Sequence, residues 1–283
     1  MHSSSILRAS GTAALALSAL LLSACSDDST GPEAPLAVEL QFAAEVNGQP
    51  FSCGSSYASV GASGTTITPV DFRIYVHNVR LVTAGGVEVP VELEQDGQWQ
   101  LEDLALLDFE NRSGPCANGT PATRTVVRGE VPAGEYTGVR FTLGVPRSLN
   151  HIDQTTAPAP LDIAALFWSW NGGYKFVRAD HISDARPMGW FVHLGSTGCT
   201  PGGSPQTVPT GCAQENRVEV AFSGFNPSSS VIVADLGRLL ANSDVTQNAA
   251  ASGCMSGPTD PECPAVLSRF GIGSPQQSFF SMR

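Results

Sequence analysis

The chain has 283 residues, with 15 Lys and Arg against 26 Asp and Glu, a formal net charge of −11 at pH 7. So acidic a chain has no electrostatic reason to bind nucleic acid or anionic lipid, and it attracts cations instead. Its length suits one large or two modest folded domains.

The first residues read as an address. Arg8 precedes an apolar run, ALALSALLLSA, that ends at Cys25 and is too short and too early to span a membrane. Leu22-Ser23-Ala24-Cys25 resembles the bacterial lipobox, which implies removal of residues 1–24 and lipidation of Cys25. Acyl chains at that cysteine would tether the protein stably to a membrane. Ser26 after the cysteine favours the outer membrane, so the expected location is the bacterial periplasm or cell surface. Ordinary cleavage after Ala24 is the alternative. Residues 25–36, including the polar run SDDSTGPEAP, read as a flexible tether.

Beyond it, Val38–Val46 alternates apolar and polar residues, the pattern of a half-buried strand. In Asp71–Val82, Phe72, Ile74 and Val76 share one face, while Val79 and Leu81 have the opposite parity. A β-bulge near His77-Asn78 accounts for that slip. Glu88–Glu94 and Trp99–Leu101 read as short strands around an Asp96-Gly97 turn. Leu104–Phe109 is apolar and gives no helical preference. Thr125–Val131 and Tyr136–Val145 are strands flanking Pro-Ala-Gly. Asp162 is placed to cap a short helix over Ile163–Trp168, ended by Gly172-Gly173. Tyr174–Arg178, Trp190–Leu194, Arg217–Phe222 and Val231–Val233 are further strands, and Asp235 caps a helix to Ala241. Many short strands, spaced turns and two short helices predict an all-β fold, a sandwich of short antiparallel strands with long loops. It is expected over residues 37–245, with 246–283 a loop-rich tail that carries cysteines.

Six cysteines follow Cys25, an even number that in an oxidising compartment implies disulfides. The expected pairs are Cys53–Cys116, Cys199–Cys212 and Cys254–Cys263, the last two because each closes a short Gly/Pro loop. No CxxC occurs, which argues against a thiolate zinc site or thioredoxin chemistry.

Chemistry concentrates between Leu149 and Cys199. This stretch holds His151, His181 and His193, three of the four tryptophans (Trp168, Trp170 and Trp190) and Lys175, the sole lysine. His193 is opposite in parity to Trp190, Val192 and Leu194, so it leaves their face. His151 follows a strand end in Asn150-His151-Ile152-Asp153. Neutral imidazoles from a strand and a neighbouring loop suit copper best, with zinc as runner-up. Asp153 is a candidate to orient an imidazole or to supply an oxygen ligand. His77 is included because of the bulge, whereas His181 reads as a loop residue. Histidines that merely hydrogen-bond, and tryptophans that merely pack, are the competing readings. No GxSxG, HExxH or P-loop is present, and the Ser196 turn runs into Pro-Gly-Gly, so no enzymatic activity is expected.

Several motifs in order carry a resemblance: FRIYVHNVRLV (Phe72–Val82), LDFE (Leu107–Glu110), LGVP (Leu143–Pro146), LNHID (Leu149–Asp153), FWSWNGGYKF (Phe167–Phe176) and HLGSTGC (His193–Cys199). From about Val38 to Leu240 the chain resembles the MbnP-like copper-binding proteins, the four-Cys members of the "metallo-mystery pair". The resemblance implies a secreted or lipid-anchored copper binder encoded beside a dihaem cytochrome c peroxidase-like enzyme of the MauG type. That partner converts a tryptophan of the binder to kynurenine. It also implies His151 and His193 as copper ligands and Trp168 or Trp170 as the modified residue. The family's four cysteines map onto Cys53, Cys116, Cys199 and Cys212, leaving Cys254 and Cys263 as additions. The competing class is an extracellular structural or adhesion β-domain without metal, which would keep His151 and His193 far apart.

Overall fold

Alternation along the amino-terminal segment produces β1 (Leu36–Val46), with Val38, Leu40 and Phe42 buried. The computed structural model describes residues 33–200, 208–249 and 251–283, so the signal segment, Cys25 and most of the tether lie outside the described residues. After β1 come β2 (Gln49–Pro50), β3 (Tyr57–Val60), β4 (Thr65–Thr83), β5 (Glu88–Pro90), β6 (Glu92–Leu93), β7 (Gln100–Leu101) and β8 (Leu104–Asp108). Next are β9 (Val126–Val131), β10 (Tyr136–Leu143) and the single helical turn α1 (Arg147–Asn150). A 3₁₀ turn over Ala164–Leu166 leads to β11 (Phe167–Ser169), β12 (Gly173–Tyr174), β13 (Val177–Ile182) and β14 (Trp190–Leu194). The chain closes with β15 (Thr197–Cys199), β16 (Cys212–Gln214), β17 (Val218–Ser223), β18 (Val231–Asp235), α2 (Leu236–Leu240), β19 (Gly253–Cys254), α3 (Cys263–Phe270) and β20 (Phe280–Met282).

Two sheets face each other, as the alternation demands. One runs β20-β18-β1-β9-β6, with β2 added to β1; the other is built on β4 and runs β17-β10-β4-β13-β14-β19. Aromatic rings join them: Phe42 meets Phe141 at 5.7 Å between centroids, and Phe72 meets Phe279 at 6.2 Å. The 19 residues of β4 let it pair with β3, β5, β8, β10 and β13 along its length. Its expected bulge is present: pairing jumps from Arg80 opposite Arg140 to His77 opposite Thr142, and Asn78 adopts φ 52°. Asparagine tolerates that left-handed conformation better than a branched residue does.

Three local expectations change. Leu104–Asp108 is a strand with all five residues buried, because β4 on one side and β7 on the other pair its backbone. Ile163–Trp168 is not a helix but the 3₁₀ turn followed by β11, and Asp162 caps nothing there. A run that short cannot repay helix nucleation, whereas Phe167 gains a cross-strand partner in Tyr174. The tail is not loop alone. It contributes α3, pairs β20 with β18, and sends Phe279 and Phe280 into the core between the sheets. All three disulfides have the expected pairing, Cys53–Cys116, Cys199–Cys212 and Cys254–Cys263.

His181 lies in β13, fully buried and stacked on Trp190 at 5.7 Å. Among the described residues neither ring nitrogen has a hydrogen-bond partner, and burial pushes its pKa down to about 4. The folded state therefore binds fewer protons than the unfolded state between pH 6.5 and 4. Stability is fully present above the unfolded value and is lost as pH falls toward the folded one. His181→Phe keeps the stack and removes the proton. In paired urea titrations, the variant's stability relative to wild type should rise by about 2 kcal/mol between pH 7.5 and pH 5. An unchanged difference across that range would show that His181 does not titrate during unfolding.

Candidate metal centre

The site starts from a row of charges on one face of three neighbouring strands. In register, Asp180 lies opposite Asp71 and Arg178 opposite Arg73, while Arg178 also pairs with His193 across β13 and β14. Period-two alternation thus puts Asp71, Arg73, Arg178, Asp180 and His193 side by side. Buried charges persist only when paired. Arg73 grips Asp71 in a bidentate pair, with Nε 2.8 Å from Oδ1. Burial opposes the Arg73 charge, and the bond to Asp71 outweighs it. Arg178 Nε reaches Asp180 at 2.7 Å and Asp71 at 3.1 Å. Beside them, burial and the charge of Glu110 push Asp108 up to about 8, so it holds its proton at neutral pH.

At the end of that row, Asp180 Oδ1 lies 2.9 Å from His193 Nε2. Burial alone would raise the Asp180 pKa, but the bonds from His193 and Arg178 overcome it and hold the group below the usual carboxylate range. An ionised carboxylate only accepts, so Nε2 carries the ring proton and Nδ1 keeps the lone pair. Phe191 stacks on the ring at 5.7 Å and 5°, and Trp168 lies 6.3 Å away. Ser256, from the tail, donates to the His193 carbonyl at 2.8 Å and accepts from Gly195 N–H at 3.0 Å.

The second imidazole reaches the same tryptophan segment from the other end. His151 is 2% exposed, and its Nδ1 is 3.3 Å from the Trp170 carbonyl. A carbonyl only accepts, so Nδ1 carries the proton and Nε2 the lone pair, which faces Asn150 Nδ2 at 3.2 Å. Burial lowers the His151 pKa and keeps the ring neutral. Asn150 is itself fully buried and accepts from the Tyr174 N–H, which fixes it against the β11–β12 hairpin. Cys212 Sγ lies 3.8 Å from His151 Nε2.

Between the two rings runs Trp168-Ser169-Trp170. Both tryptophans are only half-buried, whereas Trp190 is fully buried with its N–H on the Gln247 carbonyl. Trp168 packs over Gly195, where a Cβ would stand 2.5 Å from the indole; only glycine leaves room. The Trp170 N–H is buried without a hydrogen-bond partner among the described residues. A cleft of about 460 Å³ opens beside the segment, lined by Trp168, Asn171, Gly198, Cys199 and Met255 among others. The turn that delivers the segment is held by charge. Ala165 accepts from Lys175 Nζ at 2.7 Å and from Arg178 at 3.2 Å. Burial and then Arg178 lower the Lys175 pKa to about 8.

His193 and His151 thus each touch the Trp168–Trp170 segment, one at the Trp168 ring and one at the Trp170 carbonyl. Asp153 is not part of this arrangement: it is exposed and spends Oδ1 on Thr155 N–H and hydroxyl at 3.0 and 2.7 Å. The carboxylate that orients an imidazole is Asp180. Its signal in the sequence was the Arg178-Ala-Asp180 alternation, which the expected strand Tyr174–Arg178 ended too early to include; the strand there is β13, to Ile182. His77 sits at the bulge with Nδ1 2.8 Å from the Gly144 carbonyl, and no described contact joins it to His151 or His193. Each imidazole keeps one lone pair, a donor of the kind that suits a borderline or soft metal ion.

A family model, MbnP, matches residues 35–256. The solved structure titled "MbnP from Methylosinus trichosporium" is 32% identical, with a TM-score of 0.77 over 88% of this chain and 99% of that one. No curated protein sequence matches.

The tautomer assignment is directly testable. Nitrogen-15 NMR of the metal-free chain should show neutral His193 protonated at Nε2 and neutral His151 protonated at Nδ1. In Asp180→Asn the carboxylate acceptor is gone, and the His193 pattern should lose its single-tautomer signature, with about 1–3 kcal/mol of stability lost. A His193 spectrum identical in both proteins would show that Asp180 does not set the ring.

Proposed function

Since the chain belongs to the MbnP family, we propose that it is a copper-binding lipoprotein of the bacterial periplasm or cell surface, without catalytic activity, that captures or delivers copper through His151 and His193. The observation that carries this reading is the placing of both imidazoles against the Trp168–Trp170 segment, His193 beside the Trp168 ring and His151 on the Trp170 carbonyl. That placing disfavours the alternative of an adhesion or structural domain whose histidines merely pack. His193 would donate Nδ1, held by Asp180, and His151 would donate Nε2 once the Asn150 amide gives way. Copper rather than zinc is the preferred ion because imidazole suits both and affinity rises from zinc to copper.

The segment also supports covalent maturation by a dihaem peroxidase-like partner of the MauG type. Two half-buried indoles, one of them (Trp168) lining an open cleft, are accessible to electron withdrawal, as the buried Trp190 is not. Four electrons pass from one indole to two molecules of peroxide at the partner. The ring opens between C2 and C3 and gains two oxygen atoms, and hydrolysis then releases C2 as formate. Kynurenine remains, with a ketone oxygen and an aniline nitrogen beside the two imidazoles. Lipidation at Cys25 would keep the chain at the membrane where the partner is met.

One copper per chain is expected. His151→Ala and His193→Ala should each abolish retention against a competing chelator, His181→Ala should not, and affinity should fall as protons compete for the imidazoles at low pH. Full retention by the His151/His193 double variant would overturn the assignment. Co-expression with an active partner should add about 4 Da to the tryptic peptide containing Trp168 and Trp170, one carbon exchanged for one oxygen. An unshifted peptide would remove the maturation step and leave the histidine site to be judged by the chelator assay.

A further inference from the structure

The pair Cys199–Cys212 differs from the other two disulfides in what surrounds it. It joins directly opposed residues of the β15–β16 ribbon, and both cysteines are partly exposed. By contrast, Cys254–Cys263 is buried at both ends and Cys53–Cys116 at one. One ligand atom each from Cys199, Cys212 and His151 lie within 4.8 Å of one another. The contact from Cys212 Sγ to His151 Nε2, 3.8 Å, comes from the nitrogen that keeps its lone pair.

We infer that this disulfide masks a second metal site, in which the thiolates of Cys199 and Cys212 and the Nε2 of His151 hold one soft d¹⁰ ion, cuprous copper or zinc, once the disulfide is reduced. The geometry favours it. A nitrogen and a sulfur bound to one ion, at bonds of about 2.0 and 2.3 Å, stand roughly 3.5–3.7 Å apart. The observed spacing is already close to that. The two sulfurs must separate from bonding distance to roughly 3.8–4.0 Å, which side-chain rotation can supply. The ribbon does not depend on the S–S bond alone, since Thr197 pairs with Gln214 and Thr200 N–H donates to the Gly211 carbonyl at 2.8 Å. Two thiolates and one imidazole make a soft set that selects cuprous copper or zinc over hard ions.

The reductant is a dithiol. Its two sulfurs become a disulfide, the Cys199–Cys212 bond takes up two electrons and two protons, and binding of the ion releases those protons from the thiols. The site shares His151 with the imidazole site proposed above, so reduction would draw that ring toward sulfur. The inference does not rest on copper binding by the oxidised chain, and the two fail separately.

The test uses the mature chain, oxidised or reduced with limiting dithiothreitol that is then removed without air, alkylation mapping having located the opened bond. Cobalt(II) serves as optical probe, and zinc and cuprous copper are added separately in chelator competition. The reduced chain should take one ion and show sulfur-to-cobalt charge-transfer absorption, which the oxidised chain lacks. Bound zinc should protect Cys199 and Cys212 from alkylation, and this readout needs no variant to fold. His151→Ala should keep the sulfur band but weaken zinc by at least about 10-fold, since losing even a ligand's orienting partner costs that much. No sulfur band in the reduced chain, or protection of other cysteines instead, would overturn the inference. Copper held by the oxidised chain without a sulfur band reports on the imidazole site alone.

Discussion

Everything at the centre of this molecule depends on a buried row of charges across β4, β13 and β14. Asp71, Arg73 and Asp180 are almost wholly withdrawn from water and Arg178 is half-buried beside them, and each is tolerable only because another completes it. The row therefore acts on register. A one-residue slip of β13 would send Arg178 and Asp180 to the opposite face and leave Asp71 without Arg178, one of its two cationic partners. The apolar side chains of the same strands would tolerate repacking far better than the charges would tolerate being unpaired.

The row also reaches outward. Its last carboxylate, Asp180, holds His193, and its last cation, Arg178, shares the Ala165 carbonyl with Lys175. A single set of ion pairs thus fixes both one imidazole and the turn that presents Trp168. The other imidazole is fixed by a separate device, the buried Asn150, which ties His151 to the β11–β12 hairpin. Rigid elements hold both rings, while Trp168 and Trp170 stay half-buried and Trp168 lines a cleft. The proposed function, a site reached by another molecule that then holds an ion, calls for that combination. The tail completes the back of it through Ser256, which bridges His193 and Gly195.

Much of this was legible from residue order. Alternation located the long strands, the parity slip after Val76 located the bulge, and the parity of His193 separated it from Trp190. Two of the disulfides, Cys199–Cys212 and Cys254–Cys263, followed from loop closure, and the family followed from ordered motifs. What stayed hidden was long-range. Nothing local in Arg178-Ala-Asp180 shows that Asp71 and Arg73 lie across from it, about 107 residues earlier by simple subtraction of positions. Asp153, adjacent to His151, looked like the natural partner for an imidazole, yet a two-residue turn satisfies it first. The Ile163–Trp168 run carried a capping residue and an apolar stripe, but pairing with Tyr174 outweighed helix propensity. The tail's small polar composition concealed Phe279 and Phe280, whose partners come from β4, β10 and α3.

The claim that unites these features is that the oxidised chain holds copper by nitrogen and oxygen donors gathered around the Trp168–Trp170 segment. X-ray absorption at the copper edge, on chain co-expressed with the proposed dihaem partner and kept oxidised, tests it most directly. The account predicts a first shell of light atoms at about 2.0 Å, with the outer scattering of two imidazoles and no sulfur. A shell dominated by sulfur at about 2.3 Å, or one lacking imidazole scattering, would contradict it.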